Sequence, residues 1–305
     1  MAKKFSESET KLIQLFENIS SISWKNVDYN VECAGKPRPS DGKGEPKTDL
    51  YLKMASQNGI KEIKISFKQS NANFIENKTS DERAREIFGD DWQEIILAST
   101  MEIVDAFEER MLIFKDKFGN TEAGSYVLGW RYELLNVDAG KLSGDVELST
   151  SQLIDVYSGT NLSEQKKNSI VKGKVIENSG VANYILMTDQ DNLNDCEQVL
   201  NSLQSIEDYI TIHDKLYFAC KASNFRSEKG KIEGNRYLAV YVNWFNNGGK
   251  LDAELIFDEP LKVKTKDALT KLKEALDELN ISTVNDLNEN NTSNDVLRKI
   301  YCKED

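Results

Sequence analysis

Thr48–Leu52 reads as a short strand, and Ile63, Ile65 and Phe67 alternate with Lys64, Ser66 and Lys68 in a second. A period of two marks a strand with one buried face, so two neighbouring strands are predicted, joined through a turn at Asn58-Gly59. Ahead of them Leu12, Ile13, Leu15, Phe16 and Ile19 recur at helical spacing. They predict an opening helix over 5–20, with Ser6 as N-cap and Glu9 at capping-box spacing behind it. After the strands, Thr79 or Ser80 caps a helix over 79–89 that Gly89 closes. Ile95, Ile96, Ala98, Ile103, Val104, Phe107 and Met111 predict another over 92–114.

From Ser125 the pattern changes to short β-like segments at 126–130, 144–148 and 155–157, with a further pair inside 161–186. Residues 194–210 read as helix. The runs 215–222 and 236–244 read as strands, and 251–257 returns across Asn246-Asn247-Gly248-Gly249 as a hairpin. Residues 266–280 form an amphipathic helix, and a polar linker leads to a last short one. No internal repeat is present. The fold class expected is α/β (α+β): a mixed sheet flanked by helices over 1–124, then a β-rich part over 125–305 that ends in helix.

Composition narrows the function. The chain has 305 residues and a net charge of -12, enough length for a substantial core. No apolar run approaches the roughly 18 residues of a membrane helix, and the N-terminus lacks an apolar signal core, so a cytoplasmic protein with no membrane partner is expected. Cys33, Cys196, Cys220 and Cys302 are scattered, with one histidine, His213. That spacing argues against structural zinc and a disulfide framework and for buried, reduced thiols, with His213 structural. No GxxxxGK[ST] occurs, which excludes a P-loop.

The acidity is uneven. Residues 33–88 hold 11 Lys and Arg against 8 Asp and Glu, a local +3. Within this window Pro37, Pro39 and Pro46 stiffen a loop that carries Lys36, Arg38, Lys43 and Lys47 and leads into Asp49. A basic cleft inside an acidic protein can hold a phosphate backbone while overall non-specific affinity stays low.

Phosphodiester hydrolysis needs an attacking water, charge stabilisation at phosphorus and a departing oxygen, and Mg²⁺ held by carboxylates supplies most of this. Asp49 starts one strand. Ser66 and Lys68, two apart, share one face of the next. Glu82 opens a helix, with thirteen residues between it and Lys68. A rival register uses Asp49, Glu62 and Lys64, and Glu17 is a further acid on the first helix.

The order D…SxK…E formed by Asp49, Ser66, Lys68 and Glu82 resembles the PD-(D/E)XK nucleases, in the branch of type II restriction endonucleases that cut CCGG-like and CCNGG-like sites. The resemblance covers residues 44–89. It implies a restriction-endonuclease-like fold and a Mg²⁺-dependent endonuclease of double-stranded DNA, with Mn²⁺ able to substitute, acting as a homodimer. It implies Asp49 and Glu82 as metal ligands, Lys68 as the catalytic lysine and Ser66 in the place of the lost acid. Gln69, Lys78, Arg83 and Arg85 would then lie near DNA beside Lys36, Arg38, Lys43 and Lys47, and Asn224 and Arg226 are candidates for reading bases from the second part. Thr48 stands where the superfamily often has Pro, and the branch's base-reading motif is not evident. The alternative is a non-catalytic nucleic-acid-binding or phage-associated interaction module that keeps the fold.

Overall fold

The alternating segments form strands, and both run longer than their patterns require. In the computed structural model, which describes residues 2–70, 72–76 and 79–303, helix α1 (Ala2–Glu17) leads into β1 (Ser21–Trp24), β2 (Val27–Gly35), β3 (Leu50–Ser56) and β4 (Gly59–Lys68). These four strands form an antiparallel meander. The strand Tyr184–Met187 then joins β4 in parallel, and Gln204–Ser205 closes the six-stranded sheet. The protein is a mixed α/β protein, as expected.

Ile63, Ile65 and Phe67 of β4 pack with Leu50, Leu52 and Met54 of β3, Leu186, and Leu12 and Phe16 of α1. Strand alternation therefore sends Ser66 and Lys68 to the opposite side of the sheet from this core.

The chain divides into two compact units, neither continuous in sequence. The first comprises Met1–Asn73, Arg85–Asp90 and Leu148–Lys215, and the second Phe74–Ala84, Asp91–Glu147 and Leu216–Asp305. The division expected at 124/125 falls inside the second unit. Its reason is the parallel pairing of Tyr184–Met187 with β4, which draws 148–215 into the first unit. The second unit is built on a sheet in which Ser125–Leu135 lies between Leu216–Arg226 and Val240–Asn247, with Lys250–Ile256 outside the latter.

Several local expectations are corrected. Helix α1 begins at Ala2, so Ser6 lies within it and does not cap it. Residues 155–157 are helical, not β: Ser149 and Gln152 form a capping box for Thr150–Ser158, and Leu153, Val156 and Tyr157 are its buried stripe. The 92–114 helix breaks at Ile103 into Trp92–Glu102 and Val104–Glu108, and Ile113–Phe114 is a strand. The 194–210 stretch is two short helices, Cys196–Asn201 and Ile206–Ile212, separated by Gln204–Ser205. Of the four free cysteines only Cys220 is buried, and Cys302 is exposed. His213 is exposed and stacks on Tyr209 with ring centroids 4.3 Å apart. No helix among the described residues is long and apolar enough to cross a membrane.

Candidate active site

The site is built where β3 separates from β4. Leu50 pairs with Ile65, and the Asp49 amide donates to the same Ile65 carbonyl at 2.8 Å. One residue earlier the chain leaves the ladder: the Lys47 and Thr48 amides donate instead to the Gly180 carbonyl. That departure frees the Phe67 amide of β4, and Asp49 Oδ2 accepts it at 2.7 Å. A side-chain carboxylate thus replaces a ladder acceptor and fixes Asp49 at the end of β4, next to Ser66 and Lys68.

The charges that act on Asp49 come from three other segments. Lys68 of β4 and Lys36, just after β2, favour its ionised form, and Glu9 of α1 opposes it. Asp49 keeps some contact with solvent, but its carboxyl group is desolvated by its surroundings, and this burial is the largest effect. The balance pushes its pKa up to about 7.

Glu9 and Lys36 form an ion pair, and Glu9's side chain is only 12% exposed. Ser8, fully buried beside Glu9, accepts a hydrogen bond from Gln69 Nε2 at 3.2 Å. Ser8, Glu9, Lys36, Asp49, Ser66, Lys68 and Gln69 are thereby gathered at one end of the sheet in the first unit.

A cleft of about 610 Å³ adjoins this cluster, sharing Glu9 and Lys36 with it. Its other charged lining residues are Glu17, Arg38 and Lys172. Lys172 Nζ lies 3.9 Å from a Glu17 carboxylate oxygen. Backbone pairing of Arg38 with Ile170 holds the basic loop against its neighbour.

The other candidates are placed differently. Glu82 is exposed in the first turn of the Asp81–Phe88 helix and falls in the second unit, whereas Asp49, Ser66 and Lys68 fall in the first. Ser80 Oγ accepts the Arg83 amide, as the capping expectation required. Arg83 pairs with Glu76 at 2.8 Å, and Arg85 with Asp90 at 3.0 Å. Lys43 is exposed, whereas Lys47 is 8% exposed and its stem packs against Gly159. Lys78 lies outside the described residues. In the second unit Arg226 pairs with Glu122 and Glu233.

The rival register is separated from Asp49. Glu62 stands opposite Lys53 and accepts the Tyr51 hydroxyl at 2.6 Å. It lies four strand positions, about 13 Å, from Ser66.

The residue that sequence reasoning missed is Glu9. As a capping-box residue it would sit at a solvated helix end. With α1 beginning at Ala2 it lies in the helix interior, three and seven residues before the buried Leu12 and Phe16. That spacing is the available signal, because a glutamate on the buried stripe of an amphipathic helix needs a partner.

Two carboxylates from different elements, one resisting ionisation, suit a hard dication. Mg²⁺ is commonly held by one or two carboxylates, with water and substrate phosphate completing its shell. Among the described residues no group of three or more His, Cys, Asp or Glu side chains is placed to hold a metal by itself. No family model matches the chain, and neither a curated protein nor a solved structure does.

Proposed function

We propose that the protein is a Mg²⁺-dependent nuclease of the PD-(D/E)XK type that hydrolyses phosphodiester bonds in DNA. The observation that carries this reading is Asp49, fixed at the end of β4 by the Phe67 amide and within electrostatic reach of Glu9, Lys36 and Lys68, beside a cleft lined by Lys36, Arg38 and Lys172. In this reading Glu9 takes the part that the sequence resemblance gives to Glu82. Glu9 and Asp49 would hold Mg²⁺, which lowers the pKa of a bound water and neutralises charge developing on the phosphate.

The chain's own groups do the rest. Lys68, on the same strand face as Ser66, would orient the attacking water and offset negative charge at phosphorus. Gln69, anchored on Ser8, would fix the turn that follows Lys68. The cleft cations would hold the flanking phosphates. A type II restriction-type enzyme cutting both strands of a duplex as a cytoplasmic homodimer is the finer form of this proposal.

The Glu9–Lys36 ion pair supports a second reading, since an ammonium can permanently satisfy the carboxylate that metal would need. The protein would then bind nucleic acid without cutting it. Plasmid cleavage with and without Mg²⁺ tests the first reading, using Lys68→Ala with its melting temperature as the fold control. Loss of cleavage with folding intact is the expected outcome, and full activity in Lys68→Ala would sink it. Calorimetry separates the two readings: Mg²⁺ or Mn²⁺ binding removed by Asp49→Ala and by Glu9→Gln supports the nuclease, and no metal binding supports the binding module.

A further inference from the structure

The cleft beside Asp49 has two walls of opposite sign. Helix α1 supplies Glu9, Ile13 and Glu17, four apart on one face. The end of β2 and the turn at 170–173 supply Lys36, Arg38 and Lys172. Three cations against two acids leave one net positive charge. The acids stand eight residues, about 12 Å, apart along the helix, and each holds a lysine: Glu9 pairs with Lys36, and Glu17 with Lys172. Arg38 is exposed and belongs to no ion pair among the described residues.

The two pairs differ. Glu17 and Lys172 lie 3.9 Å apart with both side chains well exposed, a loose surface contact. Glu9 Oε1, the oxygen that Lys36 faces, is shut off from solvent. A dication cannot reach that oxygen while Lys36 covers it. The backbone under Lys36 is fixed. Gly35 pairs with Tyr51 in the sheet, Pro37 is buried with its φ locked, and Arg38 exchanges backbone hydrogen bonds with Ile170 at 2.7 and 3.0 Å. The Lys172 stem lies over Gly35, where a Cβ would be 3.5 Å from its Cγ. Any exchange of partners is therefore confined to side chains. Lys36, 29% exposed against 12% for Glu9, is the member of its pair with room to move into the cleft.

We propose that Lys36 is a charge lock: it holds Glu9 in the free protein and crosses to a nucleic-acid phosphate when substrate enters the cleft, so that metal and nucleic acid each open the site to the other. The lock rests on the nuclease reading, in which Glu9 and Asp49 hold Mg²⁺. Arg38, free of a competing acid, would take the first phosphate in its bidentate fork. A neighbouring phosphate then offers Lys36 an anion other than Glu9. With Lys36 gone, two carboxylates are left within electrostatic reach of each other, an arrangement that a dication relieves. The reverse order gives the same result, because Mg²⁺ on Glu9 expels Lys36 and adds its charge to the cleft. The two couplings are equal by thermodynamic reciprocity. In the binding-only reading the pair instead stays closed.

The test measures Mg²⁺ binding by calorimetry and binding of a fluorescent DNA duplex by anisotropy, each with and without the other. It uses the full chain carrying Lys68→Ala, so that the duplex stays whole. Lys36→Met, Lys36→Arg and Lys172→Met are made in this background and checked by melting temperature. The parent is expected to bind DNA about tenfold more tightly with Mg²⁺ than without. Lys36→Met should bind Mg²⁺ alone more tightly, lose the coupling, and show a salt slope for DNA binding lower by about one. Lys36→Arg, a stronger partner for Glu9, should bind Mg²⁺ alone more weakly and keep the coupling. Lys172→Met, which frees Glu17 instead of Glu9, should lower the salt slope without removing the coupling. Mg²⁺ binding whose coupling to DNA survives Lys36→Met overturns the lock and leaves the nuclease reading standing. So does a salt slope that Lys36→Met does not change, since the ammonium then never reaches a phosphate. No Mg²⁺ binding in any of these chains overturns the nuclease reading, and the lock with it.

Discussion

Asp49→Asn should make the protein more stable and less functional, and by an amount that depends on pH. An isolated aspartate has a pKa of 3.8, and the site pushes that of Asp49 up to about 7. In the interval between these values the unfolded chain has released the proton while the folded protein keeps it. The unfolded state then binds fewer protons, so stability falls as pH rises from about 4 through 7 and levels off above. The full difference of roughly 3 pKa units corresponds to about 4 kcal/mol, which relaxation around the ion reduces to about 2–4 kcal/mol. Asparagine removes the ionisation and keeps an amide oxygen where Asp49 Oδ2 accepts the Phe67 amide. Urea unfolding of both proteins between about pH 5 and pH 8 cancels every other titration in the difference. The advantage of the Asp49→Asn variant is expected to widen by about 2.5 kcal/mol across that range, and Mg²⁺ to stabilise the natural chain but not the variant at the upper end. Parallel curves, or an asparagine variant less stable at high pH, would refute the reasoning, because the carboxylate would then be solvated or fully paired.

Three further outcomes test the scaffold. Phe67→Ala deletes a fully buried ring from the core between α1 and the sheet and should cost about 3–5 kcal/mol by chemical denaturation. Glu86→Ala leaves the Lys166 ammonium, 2.5 Å from its carboxylate and 11% exposed, without that partner. A loss of about 3 kcal/mol is expected, larger than that of Glu164→Ala beside the more exposed Lys167. Ser149→Ala removes the capping box of Thr150–Ser158 and should cost about 1 kcal/mol, read as a lowered melting temperature with the folded-state spectrum intact.

What the sequence disclosed was local. Alternation in Ile63–Phe67 identified β4 and the face that Ser66 and Lys68 share, and the turn at Asn58-Gly59 set its pairing with β3, because these depend on neighbours along the chain. Residues 155–157 read as strand because Val156 is β-branched and Tyr157 aromatic, but two such residues carry less information than the capping box before them. The division into units was not legible at all. It turns on Tyr184–Met187 pairing with a strand more than a hundred residues earlier, and no local pattern encodes such a choice. Glu9 falls between these cases: its position on the buried stripe was visible, but only with the helix start placed correctly.

Glu9 also changes the physical account of the site. A nuclease site read as Asp49 with Glu82 needs one carboxylate to be delivered by a separate helix. With Glu9 the acid pair is tied to the sheet through α1, whose Leu12 and Phe16 are packed on Leu50, Leu52 and Phe67. Burying two acids near one another is unfavourable unless cations offset them. The chain supplies Lys36 to Glu9 and Lys68 to Asp49, and the raised pKa of Asp49 shows that this compensation is incomplete. A proton makes up the deficit below about pH 7. On the proposed reading Mg²⁺ replaces that proton, so metal affinity should rise with pH through the same interval in which the metal-free protein loses stability. Proton release measured during a Mg²⁺ titration at about pH 6.5 ties the two together. Metal binding that releases no proton would mean that the ion sits elsewhere and that Asp49 serves only to hold the Phe67 amide.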